Sequence, residues 1–318
     1  MSEQPKRILI TGGCGYLGSR LLRDLTLTSQ DSLEVIRVLD NLSTGDLRAM
    51  QHLPTGPTYE FMEADIIDPG TLTLAVQGMD AVIHLAALVR TPLSFENPAW
   101  LQQVNHWGTS HLAEACIRAG VPRLIFTSST AVYGPGGPFD ESALCRPQGS
   151  YAETKLAAEQ VLENARRRGL RATSLRLSSL YGLAPITRYN SVANRLAYLA
   201  GVGRPLTIYG SGEQRRPFLH VEDAAGAVID ALYHAEWADQ QALNVVGETL
   251  TIQALAHRLL AVKPDITLRY TDQDVRTHYS FDINGRRLRE QGWAPRVNIE
   301  EGLAEIVKSF SGVTTPKR

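Results

Sequence analysis

The sequence predicts an α/β fold in which a parallel sheet is covered by helices on both faces. Two observations support this: short β-branched runs alternate with amphipathic stretches up to about residue 180, and a glycine-rich turn joins the first run to the first amphipathic stretch. Arg7–Thr11 is apolar enough for a buried parallel strand. The helix predicted at 16–28 places four leucines on one face. Such alternation produces right-handed βαβ units and a doubly wound sheet.

The other predicted elements divide the chain into two parts. Further strands are expected at 33–40, 59–64, 81–86, 123–128, 172–177 and 242–246, and helices at 97–119 and 150–168. After Leu180 the pattern loosens, and Gly and Pro interrupt it repeatedly. We therefore predict a dinucleotide-binding domain at 1–180, with 221–246 returning to it, and a smaller α/β substrate lobe at 181–220 and 247–318. The lobe is expected to cover the carboxyl ends of the strands, where ligands bind in such folds.

The composition excludes several classes of partner. The 318 residues carry a net charge of −1, so neither nucleic acid nor an anionic membrane is expected to be attracted. Cys14, Cys116 and Cys145 are scattered, which indicates neither a disulfide framework nor a metal site. No apolar run is long enough to span a bilayer, and residues 1–7 lack the apolar segment of a signal peptide. The sequence therefore predicts a cytoplasmic protein without metal.

The glycine-rich turn is typical of a dinucleotide site, the first turn of a Rossmann fold. Gly12, Gly15 and Gly18 are spaced three apart after a strand, where glycine lets the backbone approach a pyrophosphate. Asp40 ends the second strand, in the position where an acidic side chain binds the adenosine ribose. Because Asp40 would repel a 2′-phosphate, we predict NAD as the cofactor. Arg37 and Arg48 leave NADP open, and Asp40 could instead cap a turn.

Two segments after later strands are further candidates for cofactor contacts. Asp65-Ile66 follows the third strand and could receive the adenine edge, although Asp65 could equally cap the next helix. Ala86-Ala87 follows the fourth strand, where small side chains would let the cofactor pass, or would serve tight packing. His84 in that strand is expected to be a hydrogen-bonded core residue.

The stretch Tyr151–Lys155 indicates acid/base chemistry. A tyrosine and a lysine four residues apart share one helix face, and the ammonium favours the phenolate. The phenol can then take and return a proton near neutral pH. With Ser128-Ser129 upstream and a dinucleotide site, this predicts hydride transfer to or from an alcohol or ketone.

Together these residues resemble the extended short-chain dehydrogenase/reductase family, in its nucleotide-sugar epimerase/dehydratase branch typified by UDP-glucose 4-epimerase. The resemblance extends from about Lys6 to Phe310 and rests on these segments: 11–18, 40–43, 84–87, Asn105 before Gly108-Thr109, 128–134, 151–155 and 210–218. It implies that Tyr151 is the acid/base, that Lys155 binds the nicotinamide ribose, and that Ser129 bonds the same substrate oxygen, with Ser128 as the nearest competitor. It also implies cofactor contacts at Tyr16, Leu17, Asn41, Leu85 and Asn105.

The resemblance is closer in the cofactor part than in the substrate part. The 4,6-dehydratases of this branch carry Asp-Glu after the catalytic Ser/Thr, where this chain has Thr130-Ala131, so elimination of water is disfavoured. Arg216 matches the arginine that grips the substrate diphosphate. Ser179 replaces an asparagine that contacts the same diphosphate, and Pro217 replaces an aspartate. Further candidates for substrate contact are Arg90, which could equally be a solvated loop charge, and Arg276, which loosely matches the second arginine of the family before Asp282.

The sequence thus predicts an NAD-dependent nucleotide-sugar epimerase that acts through a transient keto intermediate. A ketoreductase or dehydrogenase acting on a nucleotide-linked sugar or another specialised-metabolite alcohol or ketone is the alternative. A non-catalytic NAD-binding protein is disfavoured, since it has no need of an acid/base pair. Family members pair two long helices into an intersubunit bundle, so a homodimer is expected through an apolar face of 97–119 and 150–168. That face comprises Leu112, Ala113, Cys116, Ala157, Ala158, Val161 and Leu162.

Overall fold

The computed structural model describes residues 4–29, 32–89, 97–238, 240–271 and 279–313. The strands are β1 (Arg7–Thr11), β2 (Val35–Asp40), β3 (Thr58–Glu63), β4 (Ala81–His84), β5 (Arg123–Ser129), β6 (Gly136–Phe139), β7 (Arg171–Leu177), β8 (Ser179–Tyr181), β9 (Leu206–Tyr209), β10 (Arg215–His220), β11 (Ala242–Val245), β12 (Glu248–Thr251), β13 (Leu268–Thr271) and β14 (Phe281–Ile283).

The helices are α1 (Tyr16–Thr28), α2 (Pro69–Ala75), α3 (Pro98–Leu101), α4 (Gly108–Ala119), α5 (Ser150–Arg167), α6 (Val192–Gly201), α7 (Val221–Tyr233), α8 (Ala235–Ala238), α9 (Ile252–Val262), α10 (Arg286–Glu290) and α11 (Ile299–Ser309). The long helix expected at 97–119 is divided, because a π-helical segment, Gln102–Trp107, separates α3 from α4. Its predicted start agrees with the structure, where Asn97 caps α3 by accepting from the Trp100 N–H.

Seven strands form one parallel sheet in the order β11-β7-β5-β4-β1-β2-β3. The chain runs from β1 outward through β2 and β3 and then returns to β4 on the other side of β1. Such a reversal opens a crevice at the carboxyl ends of β1 and β4, where ligands bind in doubly wound folds. The predicted fold class is therefore confirmed.

Apolar clusters cover both faces of this sheet. On one face α1 and α7 pack together, with Leu21, Leu25 and Val228 fully buried. On the other face α2, α4 and α5 enclose Leu72, Leu112 and other buried side chains. Each helix therefore buries one apolar stripe against the sheet, as its leucine and alanine spacing predicts.

The second part of the chain has a core of its own, built from α6, α9 and α11. Three small sheets join it to the loops above the large sheet: β12-β10-β8, β13-β9 and β14-β6. The sequence did not predict β6, β8, β10, β12 or β14, because such short pairings are set by contacts between distant segments. The boundaries proposed for the two domains remain a prediction. Within the parts of the chain that are described, no helix has the length and apolar character needed to cross a membrane.

Candidate active site

The glycine-rich turn between β1 and α1 is packed too tightly for side chains. Gly12 has a φ of +74°, and a Cβ there would lie 2.6 Å from the Ala86 backbone nitrogen. A Cβ on Gly18 would lie 2.5 Å from the Gly12 carbonyl oxygen. The turn therefore lies directly against the segment after β4, at the crevice between β1 and β4.

The first turn of α1 leaves backbone donors for an anion. Its N-cap residue is Gly15, which provides no side-chain cap. The side chains of the next two residues are used elsewhere, since Leu17 is 9% exposed in the core and the Tyr16 hydroxyl bonds Gly182. Tyr16 and Leu17 can thus offer only backbone N–H groups to a phosphate, which is the arrangement that helix N-termini provide for pyrophosphate.

Asp40 supports this turn from the end of β2. Its carboxylate accepts hydrogen bonds from the Cys14 N–H (2.9 Å) and the Leu42 N–H (2.8 Å). Burial raises the Asp40 pKa, and the two backbone bonds act against that rise. Asp40 therefore does cap a turn, yet its carboxylate oxygens keep lone pairs that ribose hydroxyls could use.

Arg37 and Arg48, which could have favoured NADP by binding its 2′-phosphate, both have other partners in this structure. Arg37 donates to Glu60 (2.6 Å) and to carbonyls at the end of α2. Arg48 is 70% exposed at its side chain and pairs with Asp46 (2.8 Å). Both guanidinium groups are already paired with carboxylates, so Asp40 remains the side chain that decides between the two cofactors.

The candidates for adenine contact lie together beyond β2 and β3. Asn41 donates to the Asp65 carboxylate (2.7 Å), which also accepts the Ile67 N–H (3.0 Å). Asp68, rather than Asp65, is the N-cap of α2. Asp65 therefore does not cap this helix, which was the alternative to a cofactor contact. Ile66 is 3% exposed and would contact a Cβ on Gly108 at 2.8 Å.

The segment after β4 is held in place by polar side chains below it. The Leu85 N–H donates to the Thr11 carbonyl (3.0 Å), and Ala86 and Ala87 that follow are partly exposed. Asn105 is 1% exposed and bonds both the N–H and the carbonyl of Leu88, at 2.8 and 3.0 Å. The Asn105 amide thus fixes the loop that faces the crevice.

His84 is a buried structural residue, as expected. Its ring nitrogens bond the Thr11 and Thr109 hydroxyls at 2.7 and 3.0 Å. Burial, with a smaller contribution from Lys155, lowers the His84 pKa to about 3. The imidazole is therefore neutral at physiological pH and does not act as a general acid there.

Ser129 and Tyr151 meet at the carboxyl end of β5. Tyr151 lies at the start of α5 with part of its surface exposed. Burial raises the Tyr151 pKa, while the Arg188 charge and then the Ser129 hydroxyl lower it. The phenol is thus accessible, oriented by a hydroxyl and influenced by a cation, which are the properties required of a proton donor and acceptor.

Lys155 lies one turn further along α5 and points into the sheet. Its ammonium donates to the Thr127 carbonyl (2.8 Å) and sits 4.6 Å from the Phe126 ring centroid. Burial lowers the Lys155 pKa to about 7, although the Glu159 carboxylate raises it. This lysine therefore changes charge near neutral pH, where a small electrostatic change alters its protonation.

Ser128, the neighbour of Ser129, is committed to a buried ion pair. Its hydroxyl donates to Glu159 at 2.5 Å. Glu159 in turn receives Arg176 through both carboxylate oxygens, at 3.0 and 2.7 Å. Arg176 also donates to the Tyr133 hydroxyl (2.7 Å). This geometry leaves Ser129 as the serine that can contact substrate.

On the substrate side, the structure brings together fewer of the residues predicted from the sequence than on the cofactor side. Arg216 is 8% exposed and lies 5.4 and 5.0 Å from the ring centroids of Tyr279 and Phe281. Ser179 begins β8 and pairs with Phe218 of β10, so it is two residues from Arg216 across this small sheet. Arg90 and Arg276 lie outside the described residues.

Sequence reasoning missed two residues near Tyr151. Arg188 lies between β8 and α6, and it interacts electrostatically with both Tyr151 and Tyr16. Asn194 is fully buried in the first turn of α6 and bonds Tyr16, Gly182 and Arg188. No motif marks either one. Glu159 was also missed, although its position four residues after Lys155 could have indicated it.

Comparison with solved structures supports the same cofactor. A dTDP-glucose 4,6-dehydratase of Streptomyces venezuelae, solved with NAD, is 26% identical at a TM-score of 0.87, covering 96% of this chain and 97% of that one. A UDP-glucose 4-epimerase of Thermus thermophilus, also in complex with NAD, is 28% identical at a TM-score of 0.83, covering 96% and 99%.

Curated sequences and a family profile give the same assignment. A trifunctional UDP-glucose 4,6-dehydratase/epimerase/reductase of Arabidopsis thaliana is 29% identical over 97% of this chain. The chain spans about half the length of that relative, 48%. Residues 8–246 match the family described as "NAD dependent epimerase/dehydratase family", which confirms the prediction of NAD. This chain is accordingly an enzyme of the NAD dependent epimerase/dehydratase family.

Proposed function

We propose that this enzyme is an NAD-dependent nucleotide-sugar epimerase, similar to a UDP-hexose 4-epimerase, that acts through a transient keto intermediate. One observation carries the proposal: Ser129 ends β5 and Tyr151 lies in the first turn of α5, while the hydroxyls on either side of Ser129 are already bonded, Ser128 to Glu159 and Thr130 to the Leu177 carbonyl. Proton exchange at one substrate oxygen is what such a site can do.

The residues of this chain would act on a single hydroxyl of the sugar. Tyr151 would take its proton, while Ser129 would hydrogen-bond the same oxygen and keep it oriented. Lys155, bonded to the Thr127 carbonyl, would hold the nicotinamide ribose and supply positive charge below the phenol. NAD, when bound, would supply the hydride acceptor and donor for the carbon that bears this hydroxyl. Tyr151 would then give the proton back, so no net oxidation would occur.

Dehydration is disfavoured by the residues that follow Ser129. Elimination of water needs a second acid/base pair, and the dehydratases that this chain resembles carry Asp-Glu there. In this chain Thr130 is 2% exposed and its hydroxyl donates to the Leu177 carbonyl (3.3 Å). Ala131 has no ionisable group. Neither residue can protonate a leaving hydroxide.

The nucleotide would be held by the substrate lobe. The Arg216 guanidinium lies over the rings of Tyr279 and Phe281, at 5.4 and 5.0 Å from their centroids, which favours one position for it. A guanidinium fixed in this way suits bidentate bonds to a diphosphate. Ser179, on the neighbouring strand, would add one hydrogen bond where related enzymes have the longer amide of asparagine.

A homodimer is also part of the proposal, although on different residues from those expected. Five of the seven side chains of the expected face are buried within this chain: Leu112, Ala113, Cys116, Ala158 and Leu162. Trp100 and Trp107, on the helical segment that leads into α4, are instead 40% and 54% exposed. Two exposed tryptophans on one segment favour an interface, which sedimentation of Trp107→Ser beside the parent would test.

The first experiment is native mass spectrometry of the purified protein, followed by a panel of nucleotide sugars beginning with UDP-glucose. Absorbance of NADH is followed during incubation, and the sugars are then separated by chromatography. We expect retained NAD and an isomerised sugar without accumulation of NADH. Stoichiometric formation or consumption of NADH would instead identify a dehydrogenase or ketoreductase and overturn the epimerase assignment.

A further inference from the structure

Gly182, the residue that follows β8, contacts both parts of the chain. Its carbonyl accepts a hydrogen bond from the Tyr16 hydroxyl of α1 (2.7 Å), and its N–H donates to the Asn194 side-chain oxygen of α6 (2.9 Å). Gly182 has a φ of +108°, and a Cβ there would collide with the ring of His220 in β10. Only glycine therefore fits among these contacts. We refer to Tyr16, Gly182 and Asn194 as the Gly182 junction.

The Asn194 amide closes this junction. The side chain is fully buried, and its nitrogen donates to the Tyr16 hydroxyl (3.2 Å) and to the Arg188 carbonyl (2.9 Å). Its oxygen accepts the Gly182 N–H, so the amide has a partner at both ends. A buried amide satisfied in this way specifies one arrangement of its partners, because any other arrangement leaves polar groups unpaired.

A second contact joins the same two segments one turn further along α1. The Ser19 hydroxyl accepts the Ile186 N–H (3.1 Å) and donates to the Tyr16 carbonyl (3.1 Å). Ser19 is fully buried, and it shares a helix face with Tyr16 because the two residues are three apart. The segment that follows β8 is therefore bonded to α1 at two points.

The Gly182 junction lies at the end of the strands that carry the candidate nucleotide contacts. Ser179 begins β8, three residues before Gly182, and Arg216 lies on β10. The two strands are paired in parallel, and the pairing places His220 opposite Tyr181, the residue directly before Gly182. The junction therefore sets the position of both strands relative to α1.

The other end of the junction lies in the candidate cofactor site. Tyr16 is the first residue of α1, where the backbone N–H groups are available to a pyrophosphate. The hydroxyl of the same residue is bonded to the Gly182 carbonyl. Tyr16 thus belongs to the cofactor side through its backbone and to the substrate side through its side chain.

We propose that Tyr16 and Asn194 are positioning residues that hold β8 and β10 in place on α1, so that Ser179 and Arg216 can bind one nucleotide diphosphate together. This inference rests on the proposed function, which assigns the nucleotide to Ser179 and Arg216. It extends that function by giving two further side chains a part in substrate affinity. Both act through the strands that they hold.

The first measurement is hydrogen exchange of the segment 182–194, followed by mass spectrometry in the full chain with saturating NAD. Tyr16→Phe and Asn194→Ala should each speed exchange there by about 3- to 10-fold, because a buried hydrogen bond between α1 and this segment is lost. Exchange in α4, on the other face of the large sheet, should stay at the parent rate. Circular dichroism confirms that each variant is folded, and Tyr16→Phe removes only one oxygen atom.

The second measurement is isothermal titration with UDP. Each variant should raise the Kd for UDP by about 3- to 10-fold, the equivalent of one buried hydrogen bond. When Arg216→Met is already present, adding Asn194→Ala should change the Kd by less than about twofold, because there is no longer an arginine to position. On the sugar that the panel identifies, KM should rise while kcat stays within about twofold of the parent, as loss of binding alone requires.

Tyr59→Phe is the matched control, because the Tyr59 hydroxyl is also bonded to α1, through Thr26 at the far end of the helix (2.7 Å). It should leave both measurements unchanged. Unchanged exchange at 182–194 in both Tyr16→Phe and Asn194→Ala would overturn the junction. Faster exchange with a parent-like Kd, or an effect of Asn194→Ala that adds fully to that of Arg216→Met, would overturn the positioning role.

Failure of the proposed function would look different from failure of this inference. If the parent binds dTDP, CDP or GDP in place of UDP, the same titrations are made with that nucleotide. A parent that binds none of the four would overturn the nucleotide site of the proposed function and the positioning role with it. A parent that binds one of them, beside variants that bind it equally well, would overturn the positioning role alone.

Discussion

The cofactor side and the substrate side of the crevice are held together by different kinds of contact. On the cofactor side, backbone packs against backbone: Gly12 lies against Ala86, and Gly18 lies against the carbonyl of Gly12. On the substrate side, side chains from distant segments meet: the Asn194 amide accepts the Gly182 N–H, and the Arg216 guanidinium lies 5.0 Å from the Phe281 ring centroid. Backbone packing requires glycine at fixed spacing, whereas side-chain contacts leave no such pattern. The first side is therefore readable from sequence, and the second is not.

The largest expected effect is a loss of turnover that leaves the cofactor side unchanged. Tyr151→Phe removes the proton donor and should lower turnover by about two to four powers of ten, with NAD still retained. The measurement is initial rate on the sugar identified by the panel, together with NAD content by mass spectrometry. Tyr233→Phe is the control, since among the described residues the Tyr233 hydroxyl is buried without a hydrogen-bond partner. Unchanged turnover in Tyr151→Phe would refute the catalytic role.

A glycine pair tests the cofactor side. Gly18→Ala places a Cβ 2.5 Å from the Gly12 carbonyl oxygen, so the turn must shift. We expect a loss of about 1–3 kcal/mol in unfolding free energy and loss of retained NAD. Gly226→Ala, in the helix that packs on α1, meets nothing within 4 Å. It should stabilise the protein by about 0.5–1 kcal/mol. Thermal and urea unfolding measure the stability of the two variants, and mass spectrometry measures their retained NAD. If Gly18→Ala and Gly226→Ala had equal effects, the backbone-packing argument would be contradicted.

Much of the fold could be predicted because its elements are specified locally. The helix at Tyr16–Thr28 and the strand at Arg7–Thr11 lie where their apolar spacing predicted. The split of the long helix by Gln102–Trp107 was not foreseen, since π-helical segments have no simple sequence pattern. The short strands β8 and β10 were missed for a related reason: each is a strand only because another short strand from a distant segment lies beside it.

The substrate side can be tested without knowing the sugar. Arg216→Met should weaken binding of UDP about 10- to 100-fold, because hydrogen bonds from a charged group are lost, while NAD retention stays unchanged. Isothermal titration with UDP measures this. Arg215→Met is the matched control, since Arg215 is 53% exposed at its side chain and pairs with Asp282 on the surface. Its effect should be small. If UDP binding were weakened equally in the two variants, Arg216 would have no specific role in binding the nucleotide.

The candidate site was predicted as far as its motifs extend. Ser129, Tyr151 and Lys155 lie on elements whose positions follow from the sheet, so their meeting could be expected. Arg188 has no motif, because its position depends on a buried amide six residues later and on a tyrosine of α1. Residues placed by such contacts become visible only when the chain is folded.

The smallest expected effect concerns the buried ion pair of Glu159 and Arg176. Glu159 raises the Lys155 pKa against the burial that lowers it to about 7. Lys155 contributes as the ammonium, which is present below its pKa and lost as pH rises through it. Without the carboxylate, that loss begins at lower pH. Glu159→Gln should therefore move the alkaline limb of the pH–rate profile down by roughly half to one pH unit.

Glu163→Gln is the control for this shift, because it lies one turn further along α5 and pairs with the partly exposed Arg166 and Arg167. It should leave the profile in place. Glu159→Gln also leaves Arg176 buried without its counter-charge, which lowers stability and lowers the Lys155 pKa in the same direction. The profile is therefore recorded at a temperature where the variant is folded by circular dichroism. An unshifted limb, or a shift to higher pH, would contradict the coupling of Glu159 to Lys155.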